Sequence, residues 1–131
     1  MNRKLAREMA MKLIFQMDIQ NDFSNKMIDK FLEELPEDHQ LDYIKKLAEI
    51  FINNKEHIDN MIEEHAKGWK INRIAKVDLT ILRVALTEIY YMKDIPEIVS
   101  INEAVEIAKT FSTEDSSKFI NGVLGSIIEE K

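Results

Sequence analysis

Cysteine is absent from the 131 residues. That excludes a disulfide framework, a zinc–thiolate site and thiol catalysis. Only three glycines and two prolines interrupt the chain, so most of it is free to be helical. The glycines stand at 68, 122 and 125, a spacing that leaves no phosphate-binding loop. Long apolar runs are missing as well. Arg83 and Glu88 break the most apolar stretch, so no transmembrane span is predicted. The opening residues interleave basic with apolar side chains and lack the layout of a secretion signal, so the predicted compartment is the cytoplasm.

Reactive constellations are equally scarce. His39, His57 and His65 are the only histidines. None follows a glutamate by three residues, which removes the di-iron bundle motif, and His57 and His65 are too far apart for an i, i+4 metal pair. No serine is framed as a nucleophile elbow. The neighbouring carboxylates Glu63-Glu64, Glu114-Asp115 and Glu129-Glu130 diverge on a helix and suit solvated charge better than acid–base work. No enzymatic activity, cofactor or metal is expected.

What the chain has is apolar surface at helical spacing. Apolar residues make up 45% and charged residues 32%, a globular balance, and the length suits one domain spanning residues 1–131. The organising stretch runs from Asp78 to Met92. Leu79, Leu82, Leu86 and Ile89 form one row, with Ile81, Val84 and Ala85 around it, so this helix must be covered on several sides. Asp78 is placed as its N-cap. Around it the periodicity predicts a helix over Arg3–Gln20 and a second capped by Ser24 and stopped by Pro36. A third begins near Asp38, and a fourth follows Asn53-Asn54 and ends near Gly68. Trp69 and Ile71 are expected to return to the core. Ser100 and Glu103 read as a capping box for a further short helix, and Ser112 or Thr113 caps the last. Gly122 and Gly125 are expected to mark a close backbone approach.

Charge is uneven. The net charge is −6, which argues against a general polyanion binder. Yet residues 1–12 hold Arg3, Lys4, Arg7 and Lys12 against Glu8 alone, a side-chain charge of +3 that leaves −9 for the rest. Such asymmetry points to one local anion contact.

Three segments carry a resemblance. They are Ile95-Pro96, Ile101 to Phe111 (INEAVEIAKTF) and Lys118 to Leu124 (KFINGVL). Upstream, Trp69, Arg73-Ile74-Ala75, Val77-Asp78 and Ile81-Leu82-Arg83 fit the same pattern, as does the opening Arg3-Lys4-Leu5-Ala6-Arg7-Glu8. Nearly the whole chain thus resembles the bacterial transcription antitermination factor NusB family. The resemblance implies an all-α fold of seven helices, in two small bundles packed around the central apolar helix. It also implies a non-enzymatic role: binding boxA-type single-stranded RNA with a small-subunit ribosomal protein, NusE, and indirectly with other Nus factors and RNA polymerase. By position, Arg3, Lys4, Arg7, Phe111, Asp115 and Lys118 are the implied RNA-binding residues. Phe15, Asn72, Arg73 and Asp78 are the implied surface for the ribosomal protein. Asn121 is expected to satisfy polar groups in the last helix, and Arg83 to pair with a carboxylate such as Glu103. Leu5, Ser112 and Asn72 depart from the family pattern.

Two other readings stay open: an interaction adaptor with weak or no RNA binding, and an accessory module of an RNA methyltransferase. Monomer and homodimer are both compatible with the sequence.

Overall fold

The computed structural model describes all residues, 1–131. Six α-helices follow one another: α1 (Arg3–Gln20), α2 (Asn25–Glu33), α3 (Leu41–His65), α4 (Lys76–Tyr91), α5 (Glu97–Phe111) and α6 (Glu114–Glu129), with one 3-10 turn at Ile71–Arg73. No helix is long and apolar enough to cross a membrane.

Local chemistry sets several of these boundaries. The Asn2 side chain accepts from the Leu5 amide at 2.8 Å, Ser24 from Met27 at 3.3 Å and Thr113 from Ser116 at 3.0 Å. Each satisfies an amide that the first helical turn leaves free. Asn21 ends α1 in the left-handed region at φ 51°, a conformation asparagine tolerates better than most residues.

Three helix boundaries and two packing expectations, at the α6 glycines and at Trp69, differ from the sequence reading. The two helices expected on either side of Asn53-Asn54 form one helix of 25 residues, bent where Asn54 alone leaves helical angles. The Asn54 amide donates to the Ile50 carbonyl at 2.8 Å, so the bend leaves that acceptor satisfied. Helix α4 starts at Lys76 after Ala75, so Asp78 lies inside its first turn and is not the cap. Helix α5 starts after Pro96, one turn earlier than predicted. Proline's fixed φ suits a helix entrance, and Ser100 is thereby moved into the helix, away from any capping box. Finally, a Cβ built on Gly122 or Gly125 would meet nothing within 4 Å, so neither marks a close approach. Trp69 also fails to return to the core and is 53% exposed.

Helix α4 is the centre. Its residues from Asp78 through Ile89 are all buried, and it packs against α1, α3, α5 and α6. All six helices contribute to one core of 33 buried apolar residues. Three charged residues of α4 are buried with the apolar ones, and each has partners. Arg83 does not pair with Glu103. Its guanidinium grips Asp59 of α3 through two bonds of 2.9 Å and lies 5.5 Å from the Phe51 ring centre. Its third nitrogen makes no hydrogen bond and stands 3.8 Å from an Asp18 oxygen of α1.

Removing one member of a buried ion pair strands the other, at a cost of about 3–5 kcal/mol. Asp59→Ala is therefore expected to lower the unfolding free energy in a urea melt by about that amount. A loss below ~1 kcal/mol, typical of an exposed pair, would contradict the burial of this bridge.

Candidate nucleic-acid interface

Glu88 of α4 is fully buried, and a buried carboxylate must collect hydrogen bonds. It collects them from three helices. Arg7 of α1 donates from Nε at 2.8 Å, Ser100 of α5 donates its hydroxyl at 2.7 Å, and the Tyr43 hydroxyl of α3 donates in a short bond. Arg7 also reaches Glu103 at 3.4 Å. Burial pulls the Arg7 pKa down, but the bond to Glu88 and its charge outweigh that, and the net shift is upward. Burial first, and the charge of Glu88 second, push the Tyr43 phenol far up, so it remains a donor. Arg7 is 5% exposed. Its guanidinium is held by two carboxylates, Glu88 and Glu103, which sets it apart from the exposed Arg3 and Lys4.

Arg3 and Lys4 are exposed at the same end of α1. The Arg3 Nε donates to the Gln40 side-chain oxygen at 2.9 Å, and its guanidinium carbon sits 4.1 Å from the Tyr43 ring centre. Neither Arg3 nor Lys4 has an acidic partner within ion-pair distance. Leu5 beside them is 42% exposed.

The other expected residues gather elsewhere. Asp78 accepts from Ser112 at 3.0 Å and from Ser116 at 2.9 Å, which pins the α5–α6 turn to the start of α4. Ser112 is thus spent on this tie. Asp78 is 7% exposed, so its carboxylate serves the turn more than an outside partner. Next to it an open depression of about 340 Å³ is lined by Trp69, Arg73, Asp78, Asp115, Ser116 and Phe119, among others. A larger one of about 690 Å³ shares Trp69 and Phe119 and adds Lys118, Asn121, Gly122 and Gly125. Phe111 is 40% exposed at the end of α5, and Asp115, Lys118, Asn121, Asn72 and Arg73 are exposed. Phe15 is half-buried one turn before Asp18, which bonds Lys76 at 3.1 Å. All of these lie towards the amino end of α4.

The expected RNA residues are therefore split. The ties Arg7–Glu88 and Asp18–Lys76 run α1 antiparallel to α4, and the ties Ser100–Glu88 and Ser112–Asp78 do the same for α5. Glu88 and Asp78 are about 15 Å apart at 1.5 Å per helical residue. Arg3 and Lys4 stand beyond the Glu88 level, whereas Phe111, Asp115 and Lys118 stand at the Asp78 level with Arg73. The chain does not bring the two groups together in one adjacent cradle. Of the four arginines, Arg7 and Arg83 are buried in ion pairs, while Arg3 and Arg73 have no acidic partner, one at each end. Tyr43, Gln40, Ser100 and Ser116 were missed from the sequence. For Tyr43 and Ser100 the available sign was that a buried Glu88 requires donors from somewhere.

A family model described as the NusB family matches residues 4–129. The transcription antitermination protein NusB of Alkaliphilus oremlandii is 50% identical over 100% of this chain and 96% of its own length. The protein of the same name from Clostridium novyi is 45% identical, over 98% and 99%. Among solved structures, T. maritima NusB superposes with a TM-score of 0.89 at 32% identity, covering 99% of this chain and 92% of that one. A structure of antitermination factors NusB and NusE in complex with dsRNA gives a TM-score of 0.87 at 27% identity, with 98% and 97% covered.

If Arg7 is structural, Arg7→Met should destabilise the protein by about 3–5 kcal/mol, because Glu88 then stays buried without its cation. Arg3→Ala, which removes one exposed hydrogen bond and one cation–π contact, should cost only about 1 kcal/mol. Paired urea melts that show equal losses would contradict this assignment.

Proposed function

The chain belongs to the NusB family, and from that premise we propose that it binds boxA-type single-stranded RNA jointly with a small-subunit ribosomal protein of the NusE kind. The family's members are non-catalytic RNA-binding adaptors in transcription antitermination, and the chain acts likewise, by assembly and without turnover. The observation that carries the proposal is exposed basic side chains without an acidic partner at both ends of α4, Arg3 at one and Lys118 at the other, each beside further groups suited to RNA. At one end Lys4 accompanies Arg3. At the other, Phe111 offers a face for stacking on an unpaired base, Asp115 an acceptor for a base edge and Lys118 a phosphate contact. A flexible strand laid along the molecule joins the two ends. Arg7 supports this surface from beneath through Glu88 and takes no phosphate.

Phe15, Asn72 and Arg73 form the surface we assign to the ribosomal protein, with Asp78 holding the neighbouring turn in place. Other Nus factors and RNA polymerase are reached through that assembly. The two-bundle grouping of the family is supported by α4 packing against both α1 and α3 and both α5 and α6. On this grouping the bend at Asn54 divides α3 into the third and fourth of the family's seven helices.

The rival reading, an adaptor with little RNA affinity, draws support from the burial of Arg7 and the exposure of Leu5 in the basic opening. Salt dependence separates the two. Each phosphate contact to a single strand contributes about −0.7 to the slope of log K against log salt. Contacts from Arg3, Lys4 and Lys118 predict a slope of about −2. Lys4→Ala and Lys118→Ala should each make it shallower by about 0.7, and Arg7→Met should leave it unchanged. Binding indifferent to salt and to both lysines would favour the adaptor.

A further inference from the structure

Arg3 is held in a way that surface arginines seldom are. Two ties fasten the start of α1 to the loop before α3. The Met1 amino group donates to Asp38 in a short bond, and that bond is the main reason the Asp38 carboxyl lies below its ordinary range. Asp38 also accepts from the Gln40 amide at 2.9 Å. Gln40 occupies the N-cap position of α3 but makes no capping bond with its side chain. Its side-chain oxygen instead accepts from Arg3 Nε at 2.9 Å.

Below the guanidinium lies the Tyr43 ring, with the ring centre 4.1 Å from the guanidinium carbon. Tyr43 is 5% exposed and cannot swing away, because its hydroxyl is bonded to the fully buried Glu88. The side chain of Arg3 is thus fixed at its Nε by Gln40 and on one face by Tyr43. Its two terminal nitrogens make no bond within the chain. That is the half of the fork that grips an anion's oxygens in parallel.

We infer that Gln40 and Tyr43 are positioning residues that set the Arg3 guanidinium in advance for one phosphate of the bound RNA strand. The inference rests on the RNA reading above and adds two residues that the sequence pattern did not single out. Binding to a preset arginine avoids the loss of side-chain freedom that a mobile one suffers on contact. Releasing Arg3 should therefore weaken binding without removing the charge.

Gln40 is half-buried at a helix start, so Gln40→Ala leaves the fold intact and is the variant of choice. With single-stranded boxA-type RNA as the probe, Gln40→Ala should weaken binding roughly 2- to 10-fold, the equivalent of one long side chain left to be immobilised. Its salt slope should equal that of the unmodified protein. Arg3→Ala should make the slope shallower by about 0.7. Added to Arg3→Ala, Gln40→Ala should have no further effect. An equal loss in both backgrounds would overturn the positioning role and leave the RNA reading standing, whereas no RNA binding by the unmodified protein would sink that reading. The clamp has its own test without RNA. The Arg3 Nε–H resonance should be resolved in the unmodified protein and broadened by exchange with water in Gln40→Ala. Identical resonances in the two proteins would overturn the inference by themselves.

Discussion

The Glu88 carboxylate is the contact on which the arrangement depends. A charge with no exposed surface has to be answered by donors, since its desolvation cost is otherwise unmet. Here the donors come from three helices: Arg7 from α1, Tyr43 from α3 and Ser100 from α5. Apolar packing alone leaves helices free to slide and rotate by small amounts, because many registers bury similar area. A carboxylate with two oxygens and three directed bonds leaves little such freedom. Glu88 therefore does for α1, α3 and α5 at one end of α4 what Asp78, through Ser112 and Ser116, does for the α5–α6 turn at the other. Arg83 with Asp59 ties α4 to α3 between them.

The two anchors have a functional consequence. Each sits directly beneath a surface cluster. Above Glu88 is Tyr43, and above Tyr43 is Arg3, with Lys4 close by. Above Asp78 is the α5–α6 turn carrying Phe111, Asp115 and Lys118, flanked by Arg73. Buried charge thus sets where exposed charge stands. The acidic net charge is no obstacle to binding one short strand, because what matters locally is that Arg3, Lys4 and Lys118 have no intramolecular carboxylate to neutralise them. Arg7 shows the opposite case. It lies in the most basic part of the sequence, yet its charge is paired with Glu88 and Glu103.

Helical periodicity made much of the fold legible. The limits of α1 were read from the sequence as found, and the central position of α4 followed from its nearly continuous apolar circumference. Spacing reports which face a residue occupies, but not which residue on another helix meets it. That is why Arg83 was assigned to Glu103 when Asp59 holds it, and why Ser100 was read as a cap when it serves Glu88. Capping patterns were the weakest guide where a buried acid competed for the same hydroxyl. The glycines of α6 misled for a related reason: low helix propensity signals room, and here the room opens onto a groove, not a neighbouring backbone. For the site, residue identities came from family resemblance. Their division between two ends of α4 required the ties that orient α1 and α5.

The central claim is that two separated clusters, each fixed from below by a buried carboxylate, receive one RNA strand. Amide and side-chain NMR shifts recorded while single-stranded boxA-type RNA is titrated into the labelled protein test it most directly. The account predicts two groups of moving resonances that saturate together, one around Arg3, Lys4 and Gln40, the other around Phe111, Asp115 and Lys118. Shifts confined to one end, or centred on α2 and the outer face of α3, would contradict it.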